Sequence, residues 1–191
     1  MKNKLYHVSY VGGLDYIEPR VSTHGKAWVY ATRNYALGLL FGSNKGRGDL
    51  DGDYGINTKD NKPFFNEAYE GALKRRFEGC SCYVYEVEEM GFKEGKTSFC
   101  AELVSEKPAK VLSCKKIENL YEEIQKLIEK NEIHFHEYSI NEDYQKYIKK
   151  HLKDRIVRYK VLEDKTDKRY LFCKEKFPEI LEELESELKA E

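Results

Sequence analysis

Within the first 115 residues, short runs with strand-like patterning are separated by loops, glycine and polar clusters. Runs at 5–10, 27–32, 81–87, 99–104 and 109–114 are rich in aromatic, β-branched or alternating residues, which predicts five strands. A sixth is expected around 54–57. Two helices fit between them. "TRNYALGLLFG" predicts a helix opening near Thr32 or Asn34 and closing at Gly42, and "NEAYEGALKRRFEG" predicts one capped by Asn66 and ended by Gly79. After Lys115 the period lengthens. Ile117, Leu120, Tyr121, Ile124, Leu127 and Ile128 recur at three- and four-residue spacing and form one stripe of an amphipathic helix. Tyr144, Tyr147, Ile148 and Leu152 predict a second helix. Pro178 starts a third, with Ile180, Leu181, Leu184 and Leu188 as its apolar face. The pattern is that of an α+β core over residues 1–115 with a helical extension over 116–191 packed on it.

Composition narrows the class. The 33 basic side chains nearly balance 34 acidic ones, so no field of the whole molecule draws it to nucleic acid. No apolar run approaches the roughly 20 residues needed to cross a bilayer, so no membrane association is expected. The five cysteines are odd in number and lack CxxC spacing. With no signal-peptide pattern at the N-terminus, the cytoplasm is the expected compartment. Fifteen tyrosines suit strands, clefts and partner surfaces alike.

Candidate chemistry begins with "LYHVSYVGG". Alternation puts His7 and Ser9 on one face of the first strand, and Trp28, Tyr30 and Thr32 on one face of the second, which runs straight into a helix. Singly, a strand histidine and a strand tyrosine are more often packing residues than ligands. Jointly, "YHVS" followed by "VYATRNYALGLLFG" resembles the first two motifs of the ADP-ribosyltransferase superfamily: a strand with His followed by Gly and Ser or Thr, then a strand reading aromatic-x-Thr that leads into a helix with a small residue near its start. His7, Ser9, Tyr30, Thr32 and Ala36 match. The strand "YVYEVEEMG" and the segment "SFCAELVSEKPAKVLS" are similar to those of the bacterial rifampin-type ADP-ribosyltransferases. Val8 stands where that family usually has glycine. The acidic position is assigned to Glu102, ahead of Glu88, Glu89 and Glu94.

The resemblance implies split antiparallel sheets of ADP-ribosyltransferase type, NAD as substrate, and transfer of ADP-ribose to a protein, nucleic acid or small-molecule acceptor, or hydrolysis of NAD. Breaking the bond between nicotinamide and ribose builds positive charge on the sugar carbon, which a fixed carboxylate at Glu102 stabilises. Tyr30 offers a face to the cationic nicotinamide ring, with Tyr35 as a second wall, and His7 orients the ribose. Arg20, Lys26 or Arg33 are the candidates for the pyrophosphate, with Ser9 and Thr32 as polar lining. Two other classes fit the same cleft: a non-catalytic nucleotide- or protein-binding module whose C-terminal helices dock a protein partner, and an enzyme like the RNA 2′-phosphotransferases.

Other motifs carry less. Residues 42–62 form a long glycine-bearing loop suited to closing over a ligand. Within it Asp49, Asp51, Asp53 and Asp60 have EF-hand-like spacing, but Tyr54 takes the required glycine position and no helix pair frames it, so no metal is expected. "HFH" at 134–136 predicts a solvent-facing imidazole pair without a third ligand. Cys80 and Cys82 read as buried thiols. "KRRF" at 74–77 ends a helix, where positive charge favours the macrodipole. The glutamates of the last helix predict a solvated face.

Overall fold

The structure, a computed structural model, describes residues 4–22, 25–45, 54–60, 62–97, 99–138 and 142–190. Asp49, Asp51 and Asp53, with the rest of 46–53 and residue 61 of the glycine-bearing segment, lie outside the described residues. The fold is mixed α and β, with three sheets, two of them antiparallel, and a C-terminal helical region.

The chain divides into two compact units: Met1–Asn44 with Ile56–Phe64 and Phe77–Phe135, and Lys45–Gly55 with Phe65–Arg76 and His136–Glu191. The division does not follow the expected break after residue 115. The helix predicted beyond that point stays with the first unit because it packs on the first helix, and residues 65–76 join the C-terminal helices.

In the first unit, β1 (Leu5–Ser9) pairs antiparallel with β7 (Cys82–Val87), which pairs in turn with β9 (Ala109–Ile117), whose other edge takes β2 (Tyr16–Ile17). A second sheet has the order β3 (Arg20–Val21), β4 (Ala27–Ala31), β8 (Leu103–Ser105). The two sheets meet at one isolated bridge, where Tyr6 and Thr32 exchange N–H···O bonds of 2.8 and 3.0 Å. On one side of them lies an apolar cluster of Leu5, Val29, Ala31, Tyr85, Val87, Leu103, Ile17 and Ala109.

The opposite face of β1 receives α1 (Tyr35–Leu40). Its start is built from the sequence "TRN": the Thr32 hydroxyl accepts from the Asn34 amide at 3.1 Å, and the Asn34 side chain accepts from the Leu37 amide at 2.9 Å, filling the N-cap. Close approach of α1 to β1 depends on glycine. A Cβ on Gly38 would stand 3.1 Å from Val8 Cγ2, and one on Gly42 would stand 3.0 Å from Val8 Cγ1. α3 (Leu120–Glu129), capped by Asn119, packs on α1, while Ile117 closes β9 instead of opening the helix.

A third sheet has the order β10 (His134–His136), β6 (Lys62–Glu67), β5 (Tyr54–Lys59). The helix expected from Asn66 begins only at α2 (Ala72–Phe77). Asn66 and Glu67 finish β6, and Gly71, at a φ of 80°, breaks any helix entering from that side. The Glu67 carboxylate accepts from the Leu73 amide at 2.9 Å, in the helix's first turn.

The second unit packs α2 with α4 (Glu142–Arg158), a 3-10 turn (Val161–Glu163), α5 (Lys168–Lys176) and α6 (Pro178–Ala190). Tyr144, Ile148, Leu152 and Ile156 of α4 meet Ile180, Leu181 and Leu184 of α6, with Tyr69, Phe172 and Phe177 edge to face at 5.9 to 6.2 Å. The glutamates of α6 are not merely solvated. Glu179 pairs with Lys149 at 3.3 Å, Glu183 pairs with Lys153, and Glu185 pairs with Lys165 at 2.8 Å while accepting from the Tyr170 hydroxyl at 3.1 Å. No helix among the described residues is long and apolar enough to cross a membrane.

Candidate functional site

At the seam between the two main sheets the side chain of His7 meets the backbone of Tyr30. β1 and β4 touch at Tyr6 and Thr32, and one residue further along β1 the imidazole of His7 reaches back to β4, where Nδ1 lies 2.8 Å from the Tyr30 carbonyl. A carbonyl only accepts, so Nδ1 carries the hydrogen and Nε2 of the neutral ring keeps a lone pair. Burial pushes the imidazole below its ordinary value of 6.5; the bond to Tyr30 opposes this, and the nearby charge of Arg20 adds to it. The ring is therefore neutral at pH 7.

Tyr30 and Glu102 are electrostatic neighbours. Burial raises the Tyr30 hydroxyl above the ordinary tyrosine value, and the Glu102 carboxylate raises it further. Their proximity follows from register: Tyr30 pairs with Val104 and Ala31 with Leu103, and Glu102 immediately precedes β8. The Tyr30 Oη and Glu102 Oε2 atoms are both buried. The Trp28 ring lies edge-on to Tyr30 at 6.2 Å, and Arg20 stands opposite Trp28 in the β3–β4 ladder.

Ser9 shares the face of His7 by alternation, half-buried, and its hydroxyl accepts from the Val11 amide at 3.1 Å. Thr32 is buried, with its oxygen engaged at the entry to α1.

Tyr35, expected as a second wall, packs on the helix side of β1. Its ring meets Tyr6 edge to face at 5.6 Å, and Tyr6 points to the side of β1 opposite His7. Lys115 Nζ stands 6.0 Å over that ring, and burial first, then the charge of Glu123, pushes the Tyr35 hydroxyl up to about 12. The helix start at Tyr35 turns the side chain onto the α1 face, beside Tyr6.

Arg33 is also committed. It pairs with Glu89 and, at 3.3 Å, with Glu94, which removes Arg33 from the pyrophosphate candidates and occupies two of the alternative acidic positions. Lys26 Nζ sits 5.6 Å over the Trp28 ring. Val8, the departure from the family pattern, points at Gly38 and Gly42 and so lies on the helix side of β1, away from the face of His7.

Two residues beside His7 went unremarked in the sequence. Tyr85 and Tyr83 stand opposite His7 and Ser9 in the β1–β7 ladder, their rings stacked at 6.4 Å, with Tyr85 also 6.4 Å from the imidazole. The Tyr85 hydroxyl donates to the Val11 carbonyl at 2.8 Å. Alternation in "CYVYEV" was the available signal, since it puts both tyrosines on one face.

Among the remaining motifs, Cys80 and Cys82 are buried as expected, and burial pushes the Cys82 thiol up to about 12. His136 is half-buried instead of solvent-facing, its Nδ1 2.6 Å from Asn66 Oδ1. Arg76 ends α2 bonded to the Lys45 carbonyl. No cluster of three or more His, Cys, Asp or Glu able to hold a metal ion occurs among the described residues.

What this arrangement offers chemically is a neutral imidazole on β1 with a free acceptor nitrogen, a tyrosine on β4 beside a carboxylate that precedes β8, and an arginine on β3 within electrostatic reach of the imidazole. The chain matches no protein-family model, no curated protein and no solved structure.

Proposed function

We propose that the chain binds NAD at the seam of β1 and β4 and transfers its ADP-ribose to an acceptor, hydrolysing NAD when no acceptor is present. The observation that carries this reading is the bond from His7 to the Tyr30 carbonyl, which joins the two motifs of the resemblance in one place, with Glu102 beside Tyr30. The parting of the sheets after the Tyr6 and Thr32 bridge agrees with the split antiparallel sheets of the ADP-ribosyltransferase fold.

In this reading the His7 Nε2 lone pair accepts from a ribose hydroxyl and orients the sugar. Tyr30 packs on the nicotinamide, and Arg20 meets the dinucleotide's phosphates. Glu102 faces the sugar carbon as its bond to nicotinamide lengthens, opposing the positive charge that develops there.

The test is nicotinamide release from NAD by the purified chain, measured chromatographically, for wild type and Glu102→Ala. Release by the wild type that falls in the variant supports the reading. Uptake of NAD in calorimetry without any release overturns catalysis and leaves a nucleotide-binding module.

A further inference from the structure

The outer face of α4 carries a stripe that the packing of the second unit leaves uncovered. Tyr144, Ile148, Leu152 and Ile156 turn inward and are buried. Tyr147, Lys150, Asp154 and Val157 recur at spacings of three, four and three, so they share one face of the helix, away from the buried residues. All four are exposed, and the two large hydrophobic ones, Tyr147 and Val157, stand at 58% and 62%. Lys150 and Asp154 have no ion-pair partner among the described residues, each other included. Tyr147 is nonetheless held in place: its ring stacks on those of Tyr144, at 5.9 Å, and His151, at 5.7 Å, so little side-chain freedom is left to lose on contact. A hollow of about 340 Å³ adjoins the Val157 end of the stripe. Its apolar wall is Ile156, Val157, Leu162 and Leu184, and Lys160 and Glu187 add polar lining.

We propose that this face docks a second copy of the chain, α4 antiparallel to α4, with each Tyr147 seated against Val157 and the hollow of the other copy. The order of the four residues selects a second copy over an unrelated partner. Tyr147 and Val157 lie five residues to either side of Leu152, and Lys150 and Asp154 lie two to either side. A two-fold axis level with Leu152 therefore sets Tyr147 opposite Val157 of the other copy and Lys150 opposite its Asp154, each pairing made twice.

The helix ends agree with this direction. Glu142 and Asp143 open α4, and Arg155 and Arg158 fall in its last turn. Antiparallel docking brings the acidic first turn of each copy to the basic last turn of the other and sets the two helix dipoles head to tail. A parallel pair would instead place Lys150 against Lys150 and Asp154 against Asp154. From Tyr147 to Val157 the helix rises only about 15 Å, so the contact is small and belongs to the weak, transient class of interfaces. It is independent of the NAD reading.

The test is sedimentation equilibrium of the full chain at concentrations from micromolar to millimolar. The average mass is expected to rise from 22.5 kDa toward twice that. Val157→Glu should weaken association at least about tenfold, a change of about 1.4 kcal/mol, with unchanged circular dichroism because the position is on the surface. Lys150→Glu and Asp154→Lys should each weaken it as well, since each sets like charges opposite one another twice. Lys150→Glu/Asp154→Lys in one chain restores unlike pairs and should recover the rise in mass, which a loss through misfolding would not do. A chain that stays at 22.5 kDa throughout overturns the proposal. So does association that Val157→Glu leaves unchanged, which would be a contact elsewhere, or a double variant that associates no better than the two single ones, which would not be an antiparallel pair.

Discussion

His7 and Tyr30, 23 residues apart in the chain, are joined by a side-chain to backbone bond of 2.8 Å across the seam of two sheets. Removing the imidazole takes the donor from a part-buried carbonyl, so His7→Ala should cost about 1–3 kcal/mol of stability in chemical denaturation. Nicotinamide release should fall at least about tenfold in the same variant.

The same histidine gives the fold a pH signature. Its folded-state value lies below the ordinary 6.5, chiefly through burial. Above that pH both states are neutral and the contribution is complete. As the pH falls below 6.5, the unfolded chain takes up a proton that the folded chain resists, and stability is lost until the folded ring is protonated as well. Denaturation curves between pH 7 and 5 should show this loss, with a shallower slope in His7→Gln.

Glu102 is distinguished from its neighbours by partners as well as by place. Glu89 and Glu94 hold Arg33, whereas the Glu102 carboxylate acts on Tyr30. Glu102→Gln keeps the volume and removes the charge. It should lower nicotinamide release at least about a hundredfold, the scale of losing one preorganised electrostatic partner. Glu89→Gln and Glu94→Gln should each change release less than about threefold, the size of a surface ion-pair effect.

The approach of α1 to β1 is limited by one side chain. Gly38→Ala gains helix propensity of up to about 1 kcal/mol but sets its methyl 3.1 Å from Val8 Cγ2. In a Val8→Ala background the obstruction is gone. A double-mutant cycle should therefore show favourable coupling of about 0.5–3 kcal/mol. Independent effects would place Val8 away from the helix.

Thiol reactivity offers a check on both units. Cys100 and Cys114 are exposed, while Cys80, Cys82 and Cys173 are buried. An aromatic disulfide reagent should modify two thiols quickly in the native chain and the other three only after denaturation.

Much of this was legible in the sequence where local chemistry decides the outcome. The runs around His7, Trp28 and Tyr85 form strands because alternation and aromatic content agree, and "TRN" before "YALGLL" supplies its own cap. What escaped was decided by distant partners. Asn66 looks like a helix cap in isolation, yet it lies in a strand beside β10, and only the fold brings it to His136. Residues 16–17 and 20–21 pair in runs too short to stand out, and α5 has its cap at Asp167 but little amphipathic pattern. Tyr35 sits one residue past the N-cap, where the turn of the chain decides which side of β1 its ring visits.

The isolated bridge between Tyr6 and Thr32 makes an imidazole do what a peptide group does elsewhere in a ladder. Beyond that rung the two strands are tied by a ring, so their spacing there is set by the reach of one side chain. A shorter donor at position 7 would draw the strands together or leave them untied, with the backbone rung beside it unaltered.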